Sequence, residues 1–127
     1  MTFKSLAETN NEIYPETFTA SFAAAGTRGS VVALGYRTPI RLLVGAGWAG
    51  TATQVRPYRS EDGVTYRPVY DQYGTAVAIS AVAGRDVELD ANLLKRTAYL
   101  RLLGTEASGT AAAQTTACTV TVIAGLV

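Results

Sequence analysis

The sequence predicts an all-β fold: a single-domain antiparallel β-sandwich over residues 17–127, of the two-layer or jelly-roll kind, preceded by a polar N-terminal arm over residues 1–16. Three observations predict it. Apolar and polar residues alternate over many short runs, the period of a strand with one buried face. Glycine- and aspartate-rich turns separate those runs at short intervals, giving roughly eight or nine strands. Only Asp90–Arg96 offers a helical start. The 127 residues suit one domain that can bury a core without staples.

The elements follow in order. In residues 1–16 the stretch Glu8-Thr9-Asn10-Asn11-Glu12 has no apolar period, and Pro15 blocks regular pairing. Two readings stay open for the arm: a flexible tail, or a segment that docks on a neighbouring subunit through Phe3, Leu6, Ile13 and Tyr14. Phe18, Ala20 and Phe22 then alternate with Thr17, Thr19 and Ser21. Gly26 and Gly29 mark a turn before a short strand, Val31–Leu34, that Gly35 ends. Ile40–Val44 is a mostly continuous apolar run, suited to the middle of a sandwich. Trp48 sits in a loop among Gly45, Gly47 and Gly50.

Thr51–Tyr58 alternates again, and Asp62-Gly63 predicts a hairpin into Thr65–Tyr70. Pro68 places that returning strand at an edge or a bulge. Asp71-Gln72-Tyr73-Gly74 is a second turn, followed by a short strand with Val77 and Ile79 in phase. Gly84 breaks the chain before Asp86–Leu89. Asp90 is placed to cap one or two helical turns that would turn Leu93 and Leu94 inward. Tyr99–Leu103 and Thr119–Ile123 are strands, with an exposed loop over Gly104–Thr116 between them. The expected core is Phe18, Phe22, Leu42, Val44, Val55, Ile79, Leu89, Leu100, Leu102, Val120 and Val122.

Several chemistries are excluded or disfavoured by composition. The chain has no histidine and one cysteine, Cys118, which removes the histidine-dependent nucleophile systems, most zinc sites and any internal disulfide. Cys118 reads as a small buried hydrophobe. Asp86, Glu88 and Asp90 share one face and read as a solvated surface, while Asp62 and Asp71 occupy turns that favour aspartate. The letters of a GxGxxG motif over Gly45–Gly50 open no helix, so they make no phosphate loop. Neither an enzyme nor a cofactor is expected. A net charge of +1 with no basic stripe argues against nucleic acid, and no apolar run is long enough to span a membrane. Met1–Glu16 has no apolar signal core, which predicts a soluble chain outside the standard export route. Charged residues make up 17% of the chain, low enough to expect partners over part of its surface. The tyrosines around the predicted hairpin read first as cross-strand packing. Where they are exposed, Tyr58, Tyr66 and Tyr73, with Trp48 from the preceding loop, are the candidate partner contacts.

An ordered set of short motifs adds to this reading: Leu34-Gly35-Tyr36-Arg37, Gly47-Trp48, Gln54, Asp62-Gly63, Tyr70-Asp71, Gly74-Thr75, Ala83-Gly84-Arg85, Tyr99-Leu100-Arg101-Leu102, Gly104-Thr105 and Gln114. In this order, over residues 17–124, the chain resembles a group of small proteins encoded among the structural genes of tailed phages and prophages. The resemblance implies a discoidin-like, galactose-binding-like sandwich and a virion component. Its implied function is non-enzymatic: a capsid decoration or cement protein that binds the outer surface of the major capsid shell, with several copies on the particle. Its implied location is the virion, assembled in the host cytoplasm. The alternatives are a carbohydrate-binding module of a tail or surface protein, and another tail or head-to-tail fitting. The hairpin segment Arg56–Gly63 departs from the pattern, which calls for more apolar alternation there.

Overall fold

The computed structural model describes residues 15–126. Among them are eight strands and no helix: β1 (Glu16–Phe22), β2 (Val32–Val44), β3 (Gln54–Ser60), β4 (Arg67–Pro68), β5 (Ile79–Ser80), β6 (Asp86–Glu88), β7 (Thr97–Thr105) and β8 (Cys118–Gly125). Every pairing is antiparallel. The hydrogen-bonded order is β1-β8-β2-β7-β3-β4, with β6 added to β2 and β5 to β3. The expected all-β sandwich is the observed fold. Pro68 lies, as expected, in the terminal strand of that order, where its missing N–H breaks no ladder.

The two layers meet in β2. Its C-terminal half, Thr38–Val44, pairs with β8, while Val32 and Ala33, and Arg37 beyond a bulge, pair with β7. Between them the register shifts, and Gly35 (φ 60°) and Tyr36 (φ 67°) take left-handed conformations. The expected break at Gly35 is therefore a corner inside one continuous strand of 13 residues. A bulge re-aims the chain from one sheet to the other without ending its pairing.

Both inner faces feed one core. Phe22, Leu42, Val55, Leu100, Leu102, Val120 and Val122 are 0–1% exposed, and Val44 and Ile79 are also buried. Phe18 and Leu89 are only partly buried against that cluster. Val32, Leu34, Trp48, Val69, Val77 and Leu94 complete it.

Two expectations are corrected. Asp90–Arg96 is a chain of turns, not a helix. Asp90 does cap its start, accepting the Asn92 N–H at 2.9 Å on its side chain and the Leu93 N–H at 3.0 Å on its carbonyl. Arg96 then turns left-handed (φ 52°) and donates its N–H to the Thr38 hydroxyl at 3.0 Å, which ends the segment and drives Leu94 into the core. The loop expected from Gly104 starts later, because β7 continues through Thr105, which bridges to Ala111. That loop is not wholly exposed: Gln114 is buried, accepting the Ala49 N–H at 2.7 Å and the Cys118 thiol at 3.3 Å. Cys118 itself is half-buried, and burial pushes its thiol up.

Candidate functional site

The β3–β4 hairpin organises the candidate site. Asp62 Oδ1 accepts N–H bonds from Val64 (2.8 Å) and Thr65 (2.9 Å) and the Ser60 hydroxyl (2.9 Å). Ser60 Oγ in turn accepts the Gly63 N–H at 2.8 Å. Gly63 adopts φ 77°, with the Tyr99 ring 3.3 Å from where a Cβ would stand, so only glycine closes the turn against that ring. The Thr65 and Val64 amides and the Ser60 hydroxyl hold the Asp62 carboxyl down at about 2.

The hairpin carries two chemistries. On one side Tyr58, Val64 and Tyr66 face Arg28, Arg101 and Leu103 across a cleft of about 210 Å³ on the outer surface of the β7 layer. Tyr58 lies opposite Arg101 in register, and Arg28 bridges to Leu103. Arg101 Nε donates to the Gly29 carbonyl at 2.9 Å, which fixes its guanidinium at the cleft. The Tyr66 hydroxyl is buried without a hydrogen-bond partner among the described residues, and burial pushes its phenol up.

On the other side is a groove of about 680 Å³. Arg59 and Arg67 stand directly opposite each other in register, and both line it. Lys95 and Arg96 close it from the turn before β7, with Tyr70, 57% exposed, also on its lining. None of these four cations has an ion pair or a side-chain hydrogen bond among the described residues. The two carboxylates lining the groove have other partners. Asp62 is held by the turn, and Glu61 lies beside the phenol of Tyr36, which it pushes up by charge and then by hydrogen bonding.

The candidates read from sequence separate accordingly. Tyr58 and Tyr66 share the cleft. Tyr73 is 83% exposed at the tip of the 71–74 turn, where Asp71 Oδ1 accepts its N–H at 2.9 Å, and it lines neither cleft nor groove. Trp48 is corrected: it is 5% exposed, its ring N–H donates to the Ala52 carbonyl, and it stacks edge-on with Phe22 at 5.0 Å. Its ring belongs to the core and offers no surface to a partner. Phe3, Leu6, Ile13 and Tyr14 lie outside the described residues. Arg28, Arg101 and the four groove cations were not read as site residues. The signal for two of them was the Tyr-Arg pair repeated at 58–59 and 66–67 on either side of the Asp-Gly turn.

Asp86 is paired with Arg41 on an exposed strand, and Arg41 lowers its carboxyl. Among the described residues no three His, Cys, Asp or Glu side chains gather as a metal-holding group.

No protein-family model matches the chain, and a search of curated proteins finds no match. Among solved structures it is similar to CBM32-1 from a family 31 glycoside hydrolase from Clostridium perfringens, with a TM-score of 0.50 and 17% identity, covering 91% of this chain and 82% of that one. At that identity the likeness is one of fold, an antiparallel β-sandwich.

Proposed function

We propose that this chain is a non-catalytic carbohydrate-binding module that seats a sugar unit between Tyr58, Tyr66, Arg28 and Arg101. The observation that carries the reading is the buried, unpartnered Tyr66 hydroxyl beside two guanidinium groups and a second tyrosine. A sugar ring presents an apolar C–H face and a fan of hydroxyls. The tyrosine rings match the first and the guanidinium donors the second. A buried hydroxyl left unpaired costs about 1–3 kcal/mol, and a sugar hydroxyl removes that cost only when bound. The fold likeness to a domain named CBM32-1 supports the same reading, although fold alone assigns no ligand.

Titration of the chain with a panel of neutral mono- and disaccharides tests this. One or more should bind, and Tyr58→Ala and Tyr66→Phe should each weaken it about tenfold or more, a loss of about 1.4 kcal/mol, with the fold intact. A panel that yields no binding, or binding indifferent to both changes, overturns the proposal.

A place on a phage particle, as a capsid decoration or a tail fitting, is a second setting for such a binding domain. It rests on the ordered motifs from Leu34 to Gln114. Saturable attachment to shells lacking the subunit, with no retention on sugars, would select it.

A further inference from the structure

We propose that the basic groove is a second ligand site, separate from the tyrosine cleft, and that it takes an acidic glycan through the carboxylates or sulfates of its sugars. Four cations line it: Arg59, Arg67, Lys95 and Arg96. Arg59 and Arg67 are directly opposed across the strand pair, an arrangement that costs stability when no anion lies between them. No carboxylate of the described residues pairs with any of the four. Asp62 accepts the amides of Val64 and Thr65, and the charge of Glu61 acts on the phenol of Tyr36. Among the described residues the four cations are therefore open to an external anion.

The shape of that partner follows from the lining. Guanidinium groups bind planar carboxylates and sulfates through paired N–H bonds. The exposed Tyr70 supplies a ring for a sugar face beside those charges. At about 680 Å³ against about 210 Å³, the groove holds more of a chain than the cleft does. A nucleic acid fits less well: the chain as a whole carries a net charge of only +1 and has no basic stripe along it. The choice of a glycan over other anions rests on the carbohydrate-binding reading; the charge argument does not.

The test is calorimetric titration of the full chain at low salt with a uronic-acid trisaccharide, the same trisaccharide methyl-esterified, a sulfated trisaccharide, and a single-stranded oligonucleotide. At least one acidic trisaccharide should bind at least about tenfold tighter than the neutral ester, and its affinity should fall as salt rises. Arg59→Gln combined with Arg67→Gln should abolish that preference while leaving neutral-sugar binding at the cleft unchanged. Lys95→Gln, in a turn outside the hairpin, should weaken it without any risk to hairpin folding. The uronate and sulfate arms identify which anionic group is read. Equal binding of acid and ester, or a preference that survives both sets of changes, overturns the proposal. An oligonucleotide that binds as tightly as the acidic trisaccharide overturns the glycan assignment. Neutral binding without acid preference removes only the groove site; acid binding without any neutral binding removes only the cleft reading.

Discussion

Leu102 is fully buried between the layers, so Leu102→Ala should destabilise the fold by about 2–5 kcal/mol, read from chemical denaturation. Tyr66→Phe should act in the opposite direction. It removes a buried hydroxyl that has no protein partner, so stability should hold or rise by up to about 1 kcal/mol even as sugar binding falls. Asp62 gives a pH signature. Its folded carboxyl sits at about 2 against an ordinary 3.8, so its contribution is complete above 3.8 and is lost as pH falls towards 2. The 61–65 turn should loosen in that window, seen as faster amide exchange at Val64 and Thr65, and Asp62→Ala should loosen it already at neutral pH. Tyr58 and Tyr66 were legible in the sequence because they flank a turn with an unambiguous Asp-Gly signal. Trp48 was not. Three nearby glycines suggested an exposed loop, but the Ala52 carbonyl satisfies the indole locally and lets the ring enter the core. The groove cations were illegible for a different reason. They come from positions 59, 67, 95 and 96, and no run along the chain reveals a patch that only folding assembles.

Strands built on clean alternation, β1, β3, β7 and β8, were readable from period alone. The corner in β2 was not, because a glycine within apolar runs signals either an end or a bend, and only pairing partners decide. Gly35 should therefore resist substitution. Gly35→Ala forces a side chain into a left-handed conformation and should cost about 1–2 kcal/mol. Gly50→Ala meets no atom within 4 Å and should change stability by less than about 0.5 kcal/mol, which makes it the control in the same denaturation series. The segment 90–96 shows the converse error. A capping aspartate and two leucines promised a helix, but Thr38, distant in sequence, captures the Arg96 amide before a second turn can form.

Because β2 belongs to both layers, neither sheet can come apart without pulling on the other. The described domain should unfold in one cooperative transition. Trp48, packed edge-on against Phe22, reports the core, and far-ultraviolet dichroism reports the strands. The two curves should coincide, with Trp48 emission characteristic of an apolar site before the transition. Separate midpoints would show that the layers melt independently. The same merging explains how two ligand surfaces fit on one small domain. The cleft lies on the outside of the β7 layer and the groove around the end of the hairpin, and both use strands already held by the common core.

The hairpin hands neighbouring residues to different surfaces. Tyr58 belongs to the tyrosine cleft, while Arg59, next along β3, belongs to the cationic groove together with Arg67, its partner in register on β4. Either surface can therefore be redesigned without touching the other, provided the count between the strands is kept. A single residue inserted between Gly63 and Arg67 would move Arg67 out of register with Arg59 and break up the groove's paired guanidinium groups. The length of this turn, as much as its Asp62 and Gly63, is what variation can least afford to alter.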